Sequence, residues 1–289
     1  MRGICPITKC EDDIRKSHIY PKFLWKHLKR TGGTVFRSVD QPTKELQNGL
    51  ILNLLGSKAE QMFSKREMWF EKNLFTPYVN QKLYNQKLNY TEDLYYFAIS
   101  LLWRVLYIHQ NSINRNDLKT ICLEALEDWR SYLNQETKLP RIFSNIYIMP
   151  VSPKLLSLPY GCYDIDSYLM REFDDNVMYA LKSKDSAIFC KIPHFIIWGQ
   201  LVREDQSINY GLKINPCGGK FDFKKFSIGY GLIRNHIYHQ IEISAKEAER
   251  VSKRLSEKSQ KSMLKRFKDN IDHIKGSEMG NLLLERTHK

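Results

Sequence analysis

A chain of 289 residues with 42% hydrophobic and 12% aromatic residues can build one large core or two modest ones, which excludes wholesale disorder. Its six cysteines (5, 10, 122, 162, 190 and 217) are too scattered in a chain of this size for a disulfide framework. The formal net charge of +13 sits at the ends: residues 1–60 carry 11 Lys/Arg against 6 Asp/Glu, residues 244–289 carry 12 against 7, and the 183 residues between carry 22 against 19. Basic ends suit a polyanion, because each phosphate contact releases counterions.

Residues 1–58 read as a compact, irregular module. A run from Tyr20 to Arg30 has helical character, Gly32-Gly33 and Pro42 mark a polar loop, and Leu50 to Leu55 is apolar. Residues 59–74 follow as an amphipathic helix with Met62, Phe63, Trp69, Phe70 and Leu74 near one face, ended by Pro77. Thr91 caps a strong helix with Glu92 and Asp93 in its first turn. Leu94, Phe97, Ala98, Leu101, Leu102, Val105 and Leu106 make that helix apolar nearly all round, so it is expected to be buried. Another helix begins at Asn116, with Leu118, Ile121, Cys122, Ala125, Trp129 and Leu133 on one stripe.

From about residue 142 the period changes. "IFSNIYIMPV" and "AIFCKIPHFIIWGQLV" are β-branched and aromatic, "YGLKINPCGGKFDF" reads as a strand and a Gly-Gly turn, and "IRNHIYHQIEI" reads as a further strand. On a strand His236 and His239 point to opposite faces and cannot share a metal. Ser244 to Lys275 returns to helix, with Val251, Leu255, Met263, Phe267, Ile271 and Ile274 in a stripe among Lys and Arg. The expected class is α+β: an N-terminal module (1–75), then a domain (76–289) with a helical part, a mostly antiparallel sheet and a basic helix at about 244–275.

No apolar h-region opens the chain, and the longest apolar stretch, Leu94 to Ile108, contains Arg104 and is too short to span a bilayer. The expected setting is a reduced cytoplasm, without a membrane. Cys162 and Cys190 lack a histidine at a spacing that would activate a thiol. "NPCGGKF" lacks the phosphate-loop pattern, and there is no dinucleotide-binding fingerprint.

The segment "CPITKCEDDIRKSHIYPKF" raises the question of a zinc-and-histidine site. A four-thiolate zinc site takes two Cys-x-x-Cys pairs, because two intervening residues let both sulfurs turn to one metal. Cys5 is present, but Thr8 stands three residues on, and Cys10 falls at a wider spacing. With the later segments "LLGSKAE" and "FSKRE", the order "CPIT…SHIYPKF…LLGSKAE…FSKRE" resembles HNH-type, treble-clef endonuclease-like bacterial proteins over residues 4–71.

That resemblance implies a treble-clef module with zinc ligands at positions 5, 8, 56 and 59. Thr8, Gly56 and Ala59 supply no thiolate, so the zinc site is degenerate and no structural cofactor is expected. Packing of Phe23, Leu24, Trp25, Leu54, Leu55, Met62 and Phe63 then holds the module. Cys5 and Cys10 with His18 or His27 remain an alternative metal arrangement. The resemblance further implies His18 as a general base and Glu60 as a late ligand for Mg²⁺ or a similar divalent ion, with Glu67 and Glu71 as further carboxylates on the same helix. Ser17, where an acidic residue often precedes the base, is a poor ligand. The nearby cations Lys16, Lys22, Lys26, Lys29 and Arg30 are candidate phosphate contacts.

Three functions stay open. One is a nucleic-acid-binding or complex-forming subunit derived from such nucleases, which the resemblance places in bacterial antiphage-defence or mobile-element systems. Another is an active metal-dependent nuclease working through His18. The third is a protein-interaction module whose basic ends meet an acidic partner.

Overall fold

The computed structural model describes residues 1–31, 36–37, 45–46, 49–80, 87–151, 165–180, 185–202, 213–223, 233, 235–237, 239, 242–243, 256–269 and 271–274. Strands β1 (Arg2–Ile4) and β2 (Glu11–His18) form a hairpin, followed by α1 (Lys22–Thr31). A short ribbon of β3 (Phe36–Arg37) and β4 (Glu45–Leu46) leads to β5 (Ile51–Gly56), which pairs with β2. Then α2 (Ser57–Phe70) runs through a π-helical turn (Glu71–Phe75) into α3 (Thr76–Val79). After β6 (Lys87–Tyr90) come α4 (Glu92–His109), α5 (Asn116–Leu133), β7 (Ile146–Pro150), α6 (Ile165–Arg171), β8 (Asp174–Tyr179), β9 (Ser186–Ile192), β10 (Phe195–Val202) and β11 (Gly219–Asp222). The last described elements are α7 (Glu257–Asp269) and α8 (Ile271–Ile274).

The fold is α+β. Its main sheet has the order β7-β10-β9-β8, with every pairing antiparallel. Strand β9 is buried along its whole length, because both faces of the sheet are covered. Ile188, Cys190 and Ile192 face one core with Ile197 and Ile148. Ala187 and Phe189 face a second with Tyr147, Trp198, Tyr168 and Ile237. This is the period of two expected of a pleated strand.

The first core is organised by α4. Thr91 caps it, its side chain accepting from the Asp93 N–H at 3.3 Å, and every residue from Leu94 to Leu106 is buried. A helix apolar all round must be enclosed, and α4 packs against α2, α5 and the sheet. Burying each large side chain contributes about 1.5–3 kcal/mol. The division expected at residue 75 meets a continuous core: Phe70 stacks on Phe97 at 4.0 Å and meets Phe195 at 5.4 Å.

Two expectations are corrected. Pro77 does not end the second helix. It sits at the start of α3, after the π turn, in which the Thr76 N–H reaches back to the Glu71 carbonyl. Proline is tolerated in a first helical turn, where its missing N–H has no partner to lose. Residues of 233–243 that are described are helical, not a strand, and Ile233 and Ile237 are both buried four apart, as one helical face requires. The basic C-terminal helix is described only from Glu257, as α7 and α8, and Val251 and Leu255 lie outside the described residues. The turn near the two glycines runs from Asn215 to Gly218, whose N–H donates to the Asn215 carbonyl at 3.1 Å; Gly218 has φ +93° and lies against the Tyr90 carbonyl, and Gly219 opens β11, which pairs with β6. Among the described residues, no helix is long and apolar enough to cross a membrane.

Candidate nucleic-acid interface and the polar centre beneath it

Helix α1 divides its sequence sharply. Phe23, Leu24, Trp25, His27 and Leu28 are buried, while Lys22, Lys26 and Arg30 are exposed and Lys29 is half-buried. Positions 22, 26 and 29–30 follow helical spacing, so the cations share one ridge, with no acidic residue in the helix to neutralise them. The helix end is fastened by Arg171 at the close of α6, whose Nη2 donates to the Leu28 carbonyl at 3.1 Å and whose Nη1 donates to Thr31 Oγ1 at 3.1 Å. Lys16 is exposed on β2, opposite Asn53 of β5.

Just before α1, strand β2 ends in Ser17 and His18. Ser17 is fully buried, and its Oγ accepts from the Leu55 N–H at 2.9 Å. Its hydroxyl donates to the Arg15 carbonyl at 3.4 Å and faces the Glu60 carboxylate. Burial raises Glu60 above its ordinary pKa, and the Ser17 hydroxyl and the Arg104 charge oppose that rise. Arg104 ties the group together: Nη1 donates to the His18 carbonyl at 2.9 Å and meets Glu67 Oε1 at 2.9 Å, and Nε donates to the Ser100 carbonyl at 3.1 Å. The structure thus gathers Ser17, Glu60 and Glu67 around a guanidinium, with His18 entering by its carbonyl and its Nδ1 buried. Glu71 opens the π turn beyond this group. Arg104 had stood out in the sequence only as a charge interrupting an apolar run.

This donor set does not fit the divalent ion that the resemblance implies. Glu67 already has a permanently charged partner, and a metal beside it would meet the guanidinium's repulsion. Among the described residues, no group of three or more His, Cys, Asp or Glu side chains could hold a metal ion. The zinc positions do not fit zinc either. Cys5 is fully buried and its Sγ accepts from the Gly56 N–H at 3.3 Å, Ala59 is fully buried, and Thr8 Oγ1 accepts from the Cys10 N–H at 3.4 Å. His27 packs edge-on against Phe75 at 5.0 Å and His194 at 5.7 Å.

Two further polar groups escaped the sequence reading. On strand β8, Asp174 and Asp175 point to opposite faces of the sheet, and each acid meets a tyrosine and a histidine. Asp175 accepts from the Tyr20 hydroxyl and contacts Nε2 of His109. Burial pushes Asp175 up to about 6 and lowers His109 below its ordinary value. Asp174 accepts from the Tyr168 hydroxyl at 2.7 Å and meets His236 Nε2 at 3.3 Å, with Lys191 directly opposite in the ladder. Burial works to raise Asp174, but the His236 and Tyr168 bonds and the charges of His236 and Lys191 hold it below the usual range.

Lys191 is fully buried, bonded through Nζ to the Glu172 carbonyl and placed 4.7 Å from the Tyr168 ring centre. Burial pushes it down to about 8. The adjacent acids in "FDDNV" were the available signal, since neighbours on a strand must face opposite ways. Burial raises the Cys190 thiol well above its ordinary value, leaving it inert as a nucleophile, and Cys162 lies outside the described residues. No protein-family model, curated protein or solved structure matches the chain.

Proposed function

We propose that the chain is a nucleic-acid-binding subunit derived from HNH-type nucleases, gripping the phosphate backbone through the cationic ridge of α1 without cutting it. The observation that carries this reading is the ridge itself: Lys22, Lys26, Lys29 and Arg30 on a helix without an acid, anchored at its end by Arg171. The loss of chemistry is supported by Arg104, which occupies Glu67, a carboxylate expected to hold the metal, and ties β2 and α2 to α4 through Glu67 and the His18 carbonyl. Phosphate contacts by lysine and arginine position a nucleic acid without reading its bases, so little sequence preference is expected.

The test is binding of labelled duplex DNA and duplex RNA across a salt series, with the triple variant Lys22→Glu/Lys26→Glu/Arg30→Glu beside the unchanged protein. The unchanged protein binds at low salt. Its log affinity falls with log salt at a slope of about 3–4 if all four cations meet phosphates. The triple variant loses most of this slope. Neither form cleaves the duplex in Mg²⁺ or Mn²⁺, and His18→Ala changes neither result. Absence of binding at low salt would overturn the proposal in favour of an acidic protein partner. Metal-dependent cleavage abolished by His18→Ala would restore the nuclease.

A further inference from the structure

The β1–β2 hairpin has to be held against the N-terminus of α2, and the residues that hold it are not metal ligands. Asp12 lies on β2 with its carboxylate at the first turn of α2. Its Oδ2 accepts from the Lys58 N–H at 3.3 Å, and its Oδ1 accepts from the Asp13 N–H at 2.7 Å. A carboxylate there satisfies an amide with no partner inside the helix and faces the positive end of the helix dipole. Two bonds flank it: Cys5 Sγ accepts from the Gly56 N–H at 3.3 Å, and Arg15 Nε donates to Ser57 Oγ at 2.9 Å.

Gly56 fits this reading. Its φ of −72° is open to any residue, so backbone freedom does not require glycine there. Space does. A Cβ at position 56 would stand 2.7 Å from both Cβ and Cγ of Asp12, closer than carbon atoms tolerate.

We infer that Asp12 staples the hairpin to α2, in the place where the family resemblance implies a metal bridging positions 5, 8, 56 and 59, and that glycine at 56 is the space this staple needs. The module is then held together without metal, and the identities of residues 12 and 56 are coupled.

The experiment uses the full chain. Chelator treatment leaves the melting temperature unchanged, and elemental analysis finds no stoichiometric zinc. Asp12→Ala speeds amide exchange across residues 56–60 and the hairpin by about tenfold, the loss expected of a helix cap, while Asp12→Asn, which keeps an acceptor, loses less. Gly56→Cys lowers the melting temperature alone. Combined with Asp12→Gly, which takes away the Cβ and the carboxylate it would strike, it lowers it by less than the sum of the two single changes. One zinc per chain, unchanged exchange in Asp12→Ala, or strictly additive effects of the two substitutions would each overturn the inference. Asp12→Asn, whose exchange across residues 56–60 is then expected to exceed that of the unchanged protein, keeps the test decisive if Asp12→Ala does not fold.

Discussion

Arg104 and His109 stand five residues apart on α4, and each meets an acid from another element: Glu67 of α2 and Asp175 of β8. The two contacts differ in the kind of base. The guanidinium is charged at every accessible pH, so the first contact is fixed. A carboxyl whose pKa is raised to about 6 can gain or lose a proton near neutrality, and burial disfavours the charged form of the imidazole beside it, so the second is adjustable. Both pin the N-terminal module, one through the His18 carbonyl and the other through Tyr20, two residues later. The module is therefore fastened to the helical core by one joint whose base keeps its charge and one whose base can lose it.

Breaking the fixed joint has the largest expected effect. Arg104→Met leaves Glu67 without its cation and the His18 carbonyl without its donor, and costs about 3–5 kcal/mol in urea denaturation at pH 7. Adding Glu67→Gln recovers part of that loss. Full additivity would show that the pair is not coupled.

The adjustable joint is sharpened by two single variants whose stability responds to acid with opposite signs. His109→Gln leaves Asp175, whose folded pKa of about 6 lies above an unfolded value of about 3.9. In that variant the contribution of Asp175 to stability rises as pH falls through 6, by up to about 2–3 kcal/mol. Asp175→Asn leaves His109, whose folded pKa is lowered, so stability falls as pH drops through its ordinary 6.5. Melting curves at pH 7, 6 and 5 check both slopes, and parallel slopes would dissolve the distinction between the joints.

His18→Ala is expected to cost about 1–3 kcal/mol, because its Nδ1 is buried, while leaving nucleic-acid affinity per folded molecule unchanged. Unchanged stability with altered binding would put the imidazole at the ligand. The smallest effect on stability belongs to Lys22→Ala/Lys26→Ala, on the solvent face of α1, at no more than about 0.5 kcal/mol per site. Filter binding of the same protein shows a clear fall in affinity.

The sequence carried a good part of the fold. Thr91 and the apolar run after it mark α4, the stripe from Leu118 to Leu133 marks α5, and the β-branched runs mark β7, β9 and β10, because in each the local pattern and the burial agree. It failed where tertiary contacts overrule local preference. Strand β8 opens with two acids, poor strand formers that are satisfied only by tyrosines and histidines from distant segments. The helix through 71–79 absorbs Pro77 by widening its turn. At the candidate site, the basic ridge of α1 was legible from spacing, and Ser17, Glu60 and Glu67 do come together. Arg104 was hidden, because a charge inside an apolar run reveals nothing of the partners it finds 37 and 86 residues away in the chain.

Lys191 offers a use of its own. A primary amine with no exposed surface, closed in beneath Tyr168 of α6, is out of reach of an acylating reagent while the sheet is covered. It becomes reactive only in molecules whose covering layer has lifted. The rate at which this amine is labelled, against that of the lysines on α1, is therefore a clock for local opening on the far side of the sheet, read by mass spectrometry from the unmodified protein.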